Sequence, residues 1–257
     1  MTGTKAKIRQ SFSKAALTYD SVAHLQRTVG QELLELTLPK HFRGQTLDLG
    51  CGTGFSTQLL LPHCLDNKVM MVDLALPMLH TAKQKLKQNV DYICADAEHL
   101  PLKSKTINTV FSNLALQWCW PITPALREIH RVLVDGGELI FSTFGTQTLH
   151  ELKNAWEKID NYAHVNPFYS PQALQIALSQ IGFTVSQTTT KYHSCHYHDV
   201  FSLMHELKNL GAHHVHREGN MALSTPKKFK KLIEYYPQEK SGKIVATYEV
   251  ISFIIRK

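Results

Sequence analysis

The sequence predicts an α/β fold, a seven-stranded and mostly parallel sheet with helices on both faces and an inserted helical lid. Three observations predict it. From residue 46 onward, short apolar runs alternate with amphipathic stretches of helical period. A glycine-rich turn joins the first of these runs to a helix. Two later stretches, 147–166 and 198–238, break the alternation with additional helices. A chain of 257 residues suffices for one large domain of this kind, or for a core with an insertion.

In chain order, Ile8, Phe12 and Ala16 share one face of a first helix that ends near Tyr19. Ser21 is placed to cap a second, in which Leu25, Val29, Leu33 and Leu36 keep helical spacing until Pro39. Strands are expected at 46–49, 69–74, 92–95, 109–112 and 139–143. A helix carrying Leu126, Ile129 and Leu133 lies between the last two, with Gly136–Gly137 as its stop. Residues 183–192 and 243–255 read as two further strands, the long terminal one being the candidate antiparallel member. The helix within 147–166 aligns Leu149, Leu152, Trp156 and Ile159. In the lid, Asp199 caps a helix ending at Gly211, and Thr225 with Pro226 starts another. That last helix collects Phe229, Leu232, Ile233 and Tyr236 on one face and Lys227, Lys228, Lys230 and Lys231 elsewhere. The expected organisation is N-terminal helices covering the ligand site (1–40), a core (41–146), a helical insertion (147–166), core continued (167–197), the lid (198–242) and a final core strand (243–257).

Hydrophobic residues at 43% and charged residues at 19% exclude a disordered chain. The first twenty residues are polar and basic, unlike a secretory leader. The most apolar run, 245–255, is interrupted by Thr247, Glu249 and Ser252, so no membrane span is expected. Cysteines at 51, 64, 94, 119 and 195 include no CxxC pair, which predicts reduced thiols and a cytoplasmic location. A net charge of +7, with lysines clustered in 5–14, 83–87 and 227–231, fits either a solvated surface or an acidic partner. His193, His196, His198, His213, His214 and His216 invite a metal reading. No cysteine or carboxylate completes a structural-zinc spacing, and no metal is expected.

The sharpest local signal is Leu47-Asp48-Leu49-Gly50-Cys51-Gly52-Thr53-Gly54, between an apolar strand and the helix at 55–61. Glycine lets such a turn bring its backbone against a ligand, and the helix N-terminus offers unpaired N–H groups to an anion. A dinucleotide fingerprint requires G-x-G-x-x-G. Here the spacing is G-x-G-x-G, with Phe55 following and Asp48 preceding. Asp73 and Asp96 then close the second and third strands. A carboxylate at the end of the second strand can accept from two vicinal ribose hydroxyls, or it can cap the following helix.

This pattern resembles motif I of class I S-adenosylmethionine-dependent methyltransferases. The resemblance implies a Rossmann-like core and S-adenosylmethionine as cofactor. Asp48, Gly50, Gly52 and Gly54 would then hold the methionine part and Asp73 the ribose, with Leu74 and Met78 as further cofactor contacts. Asp96 would accept from the adenine amino group, the Ala97 N–H would reach a ring nitrogen, and Asn113 lies at the same edge. Tyr19 would close over cofactor or substrate.

Three more segments narrow the resemblance: Phe12-Ser13-Lys14-Ala15-Ala16 with Tyr19, Leu25 and Gln26; Ser112 to Cys119; and Leu207 to His216. Together they resemble the malonyl-acyl-carrier-protein O-methyltransferases of the biotin pathway. What this implies is methylation of the free carboxylate of a malonyl thioester. Carboxylates ionise near about pH 4, so no general base is expected. Catalysis would rest on positioning and water exclusion. Gln117 and Trp118 would lie beside the transferred methyl. His216 and Arg217 are candidates to orient the substrate carboxylate, guanidinium matching it bidentately, with an Arg217–Glu218 surface pair as the competing reading. The acidic partner would be an acyl carrier protein, met by the lysines of 227–231, or its place would be taken by malonyl-coenzyme A. A monomer without nucleic-acid or membrane partners is the expectation. Neighbouring readings are a methyltransferase acting on a quinone or other small molecule, a nucleic-acid methyltransferase, whose Asn/Asp-Pro-Pro-aromatic signature is replaced here by Asn113-Leu114-Ala115-Leu116, and a non-catalytic cofactor-binding scaffold.

Overall fold

The computed structural model describes residues 3–65, 69–86, 90–212 and 225–257. Three helices open the chain, α1 (Gly3–Ala15), α2 (Tyr19–Val22) and α3 (His24–Glu35). The core follows as β1 (Thr46–Leu49), α4 (Phe55–Leu60), β2 (Val69–Asp73), α5 (Leu76–Lys85), β3 (Asp91–Cys94), β4 (Ile107–Asn113), α6 (Thr123–Val132) and β5 (Leu133–Phe144). Then come α7 (His150–Glu157), α8 (Pro171–Ile181), β6 (Thr184–Tyr197), α9 (Val200–Asn209), α10 (Pro226–Tyr235) and β7 (Ile244–Arg256).

Among the described residues seven strands form one sheet, in the order β3-β2-β1-β4-β5-β7-β6. The pairs from β3 to β5 are parallel. Strand β7 is antiparallel to both neighbours, as its terminal position predicts. The strand order reverses between β1 and β4, and ligands of open α/β sheets bind at the carboxyl edge of such a reversal.

Each face of the sheet is covered for a reason visible in the side chains. Helix α6 buries Ala125, Leu126, Ile129 and Val132 at helical spacing, and they meet Val110, Leu139 and Phe253. On the other face, Leu33 and Leu34 of α3 and Leu60 of α4 pack on Met71, Phe111 and Ile140. A third cluster gathers Trp156 of α7, Leu203 and Leu207 of α9, Leu232 of α10, and Tyr197 and Tyr248 of the last two strands. This cluster seats the helices of the lid.

Several boundaries differ from the sequence expectation. Ser21 does not cap the second helix: it lies inside α2, and its hydroxyl donates to the Thr18 carbonyl at 2.7 Å. Helix α6 stops at Val132, because Leu133 is already extended and pairs with Ile107. Gly136 and Gly137 lie within β5, where its register against β4 shifts. Helix α8 is an addition. Ser170 accepts from the Ala173 N–H at 3.1 Å at its start, and Gly182 (φ 101°) ends it. The lid caps follow the sequence: Asp199 accepts from Ser202 N at 2.8 Å, and Thr225 from Lys228 N at 3.4 Å.

Candidate active site

A cavity of about 840 Å³ opens at the carboxyl ends of β1, β2 and β4. Gly50 and Gly52 form its floor. Gly50 has φ +74°, and a Cβ there would stand 2.3 Å from that of Ala115, so only glycine brings the turn this close to the chain leaving β4. Gly52 has φ +53° and a Cβ would meet nothing within 4 Å, so its bare face belongs to the cavity. Gly54 does not line the cavity; it lets α4 approach Leu86, Ala82 and Met71.

Asp73 bridges the floor and the next turn. Its Oδ2 accepts from Gly52 N at 2.9 Å and its Oδ1 from Ala75 N at 2.8 Å. Asp73 does not cap the following helix, whose N-cap is Ala75 without a side-chain cap bond; it fixes the turn before it and lines the cavity. Burial pushes its carboxyl up, opposed by the N–H groups of Ala75, Gly52 and Leu74. Each oxygen retains capacity for a second hydrogen bond, the arrangement a vicinal diol requires. Leu74, Met78 and Ala97 line the same space, and Met78 is fully buried. These residues fit an adenosyl ligand: bare backbone, an apolar wall and a carboxylate with spare acceptor capacity.

Two acids behave differently from expectation. Asp48 lies behind the loop, 1% exposed, and is absent from the lining of the described cavities. Its Oδ2 accepts from the Thr57 hydroxyl at 2.5 Å. Burial pushes its carboxyl up to about 7, against the Thr57 hydrogen bond and with help from the nearby charge of Asp73. Asp48 thus supports the turn from behind the loop and does not line the described cavity. Asp96 does line the cavity, yet both its oxygens are taken by the Lys5 ammonium, at 2.7 and 2.6 Å. Glu98 meets the same ammonium at 2.6 Å. Burial works against the charge of Lys5, but the bonds to Asp96 and Glu98 outweigh it and its pKa is raised.

The N-terminal helices close the site from above. Ile8, Phe12 and Tyr19 line the cavity, and Phe12 stands edge-on to Trp118 at 5.2 Å. Burial and the charge of Asp73 hold the Tyr19 hydroxyl in its protonated form. Asp20 accepts from the hydroxyl of Thr53 in the glycine loop at 2.7 Å, and Arg27 donates to the Asp20 carbonyl at 2.9 Å. Asn113 ties α3 down: its Nδ2 donates to the Gln26 carbonyl, and its Oδ1 accepts from the Ser142 hydroxyl, both at 2.8 Å. Leu114 follows with φ +46°, an uncommon conformation for a branched residue, and it turns the chain so that Trp118 reaches the cavity wall. Gln117 does not reach this cavity. It donates to the Leu114 carbonyl at 2.6 Å and lines a second cavity, described below.

His216 and Arg217 lie outside the described residues, as do His213 and His214. Of the other histidines considered as ligands, His193, His196 and His198 each face a different carboxylate, Glu32, Glu239 and Asp199. Sequence reasoning missed Lys5, Asp20 and Arg27. Lys5 is 91 positions from Asp96, and nothing local marks it. The Arg27–Asp20 spacing of seven residues was available as a signal, had the break between α2 and α3 been recognised.

Residues 47–141 match a family described as methyltransferase domain. Over 98% of its length the chain is 37% identical to the malonyl-[acyl-carrier protein] O-methyltransferase of Hamiltonella defensa, covering 94% of that protein. It is 35% identical to the one from Yersinia pestis, across 98% of this chain and 92% of that one. The chain belongs to the malonyl-[acyl-carrier protein] O-methyltransferase family. The chain is also 38% identical to the biotin biosynthesis bifunctional protein BioHC of Cellvibrio japonicus, over 98% of this chain, but spans only 50% of that protein. Solved structures share the fold at lower identity. The YcgJ protein of Bacillus subtilis aligns with TM-score 0.62 and 18% identity over 89% of this chain and 97% of its own. The [4+2]-cyclase SpnF aligns at TM-score 0.55 and 16% identity, over 90% of this chain and 81% of its own. A fold that also houses a cyclase does not fix the chemistry; the residues around the cavity must do so.

Proposed function

We infer that this chain transfers a methyl group from S-adenosylmethionine to the free carboxylate of malonyl-acyl-carrier protein, giving the methyl ester and S-adenosylhomocysteine. The observation that carries the reading is the full-length match. Nearly the whole chain, lid included, aligns with proteins named for this reaction. Bound S-adenosylmethionine would supply an electrophilic methyl on a cationic sulfonium. Gly50, Gly52, Asp73 and the Ala97 backbone would hold it, and Tyr19 would cover it.

The residues present suit a reaction that needs no base. The acceptor carboxylate is already ionised, and its attack neutralises the sulfonium, so charge falls as the bond forms. Closure by α1 and α2 excludes water, and Phe12 and Trp118 offer aromatic faces instead of competing nucleophiles. The carrier protein, acidic as such carriers are by the family resemblance, meets the basic surface of α10, where Lys227, Lys230 and Lys231 are exposed. A cytoplasmic location accords with this reaction, and no described helix is long and apolar enough to cross a membrane. The test is transfer of labelled methyl to malonyl-carrier protein, malonyl-coenzyme A and a quinone precursor. Ester formation on the malonyl thioesters alone is expected, and label on the quinone alone would replace the reading.

A further inference from the structure

Behind Trp118 lies a second cavity, of about 770 Å³, roofed by α9. Trp118 lines both this space and the cofactor cavity, so its indole is their common wall. Gln26 is shared in the same way with the space beside the glycine loop. A group held in the second cavity therefore stands one side chain away from the donor. Phe144, Leu152, Met204 and Leu207 make its walls apolar, as suits a thioester and its methylenes.

Polar side chains line the cavity as well. The side-chain oxygens of Gln26 and Gln117 are buried without a hydrogen-bond partner among the described residues. His164 lines the cavity and is held from behind. Its Nε2 meets Asp160 Oδ1 at 2.8 Å, and its ring stacks on Trp156 with centroids 3.7 Å apart and 10° between planes. Asp160 is itself fixed, accepting from Lys228 Nζ on Oδ2 at 2.8 Å and from Tyr162 N on Oδ1 at 3.1 Å. With Nε2 committed to Asp160, Nδ1 is the ring nitrogen left for a ligand. Among the described residues that line this cavity, His164 is the one able to carry a positive charge.

We propose that His164 receives the free carboxylate of the acyl substrate, with Asp160 and Lys228 fixing the imidazole from behind. This rests on the carboxyl-methylating reading above and names the residue that selects for it. A ring with an N–H on each nitrogen can donate to Asp160 through Nε2 and to the substrate carboxylate through Nδ1. Holding the carboxylate by one end leaves its other oxygen for the methyl.

The test compares a charged and an uncharged acyl group on the same carrier. Full-length protein loaded with S-adenosylhomocysteine is titrated with malonyl-carrier protein and acetyl-carrier protein. The wild type should prefer the malonyl form by roughly tenfold or more. In His164→Ala and His164→Gln that ratio should fall to near one, with affinity for S-adenosylhomocysteine and melting temperature retained. Asp160→Asn, which leaves the imidazole in place, should lower the ratio by a smaller factor. A wild-type ratio in the His164 variants, with loss in Arg217→Ala, overturns the proposal in favour of the lid arginine. A wild type that binds S-adenosylhomocysteine but shows no malonyl preference overturns the carboxyl-methylating reading itself, and the proposal with it.

Discussion

The Lys5 ammonium sits on both oxygens of Asp96, so the carboxylate expected to receive the adenine amine is already paired with a cation from the first helix. The contact joins the N-terminal cover to the edge of the sheet. For the amine to reach Asp96, the lysine must withdraw to Glu98 or share the carboxylate. Lys5→Met should therefore tighten S-adenosylhomocysteine, by about fivefold if the withdrawal costs about 1 kcal/mol. Asp96→Asn should weaken it. Calorimetry on both variants decides; weaker binding in Lys5→Met would mean that the ion pair secures the cover rather than opposing the ligand.

Asp48 links the turn to the stability of the whole chain. Its carboxyl is pushed up to about 7 in the folded protein against an ordinary value of 3.8. Between these values the folded state keeps a proton that the unfolded state has lost. Stability therefore falls as pH rises through about 4 to 7, and the full penalty applies above 7. The shift corresponds to about 4 kcal/mol at most. Asp48→Asn keeps the shape and cannot ionise. Relative to wild type it should gain most stability at pH 8, less than half as much at pH 5 and little below about pH 3.5, read as melting temperature in matched buffers. A gap between the two proteins that stays constant with pH would show that Asp48 does not titrate there.

How much of this was legible beforehand follows from the range of the interactions. The strand–helix alternation and the Asp199 and Thr225 caps depend on neighbours within a few residues, and the sequence carries them openly. The helix ending at Val132 was misplaced because Leu133 satisfies helical spacing and strand pairing equally, and the sheet won it. Asp48 read as a ligand because the motif shows only that an acid precedes the glycines; which way it faces depends on Thr57. Lys5 and His164 were invisible for another reason. Their partners or cavities are assembled from segments far apart in sequence, and single residues of common types leave no pattern.

The two cavity glycines should respond unequally to alanine. At Gly50 the added carbon would collide with Ala115 at 2.3 Å, in a backbone conformation that already disfavours a side chain. Gly50→Ala should cost on the order of 2 kcal/mol of stability and abolish S-adenosylhomocysteine binding. At Gly52 there is open space, so Gly52→Ala pays only for φ, about 1 kcal/mol, but places a methyl where the ligand belongs. Its melting temperature should stay near wild type while affinity drops. Equal thermal losses in the two variants would contradict this account.

The lysines of α10 separate into two jobs that one experiment can distinguish. Lys227, Lys230 and Lys231 are exposed, whereas Lys228 is half-buried on Asp160. Glu replacements at the three exposed positions should raise KM for malonyl-carrier protein by roughly tenfold at low salt, leave malonyl-coenzyme A nearly unaffected, and lose their effect as salt screens the surface. Lys228→Ala should act on both thioesters alike and keep its effect in salt, because the charge it loses is the one that steadies Asp160 beneath His164. Steady-state kinetics with both substrates at two ionic strengths tests the division. If all four lysines follow the same salt-dependent pattern, α10 is a uniform docking face and Lys228 has no separate part in holding the acyl site.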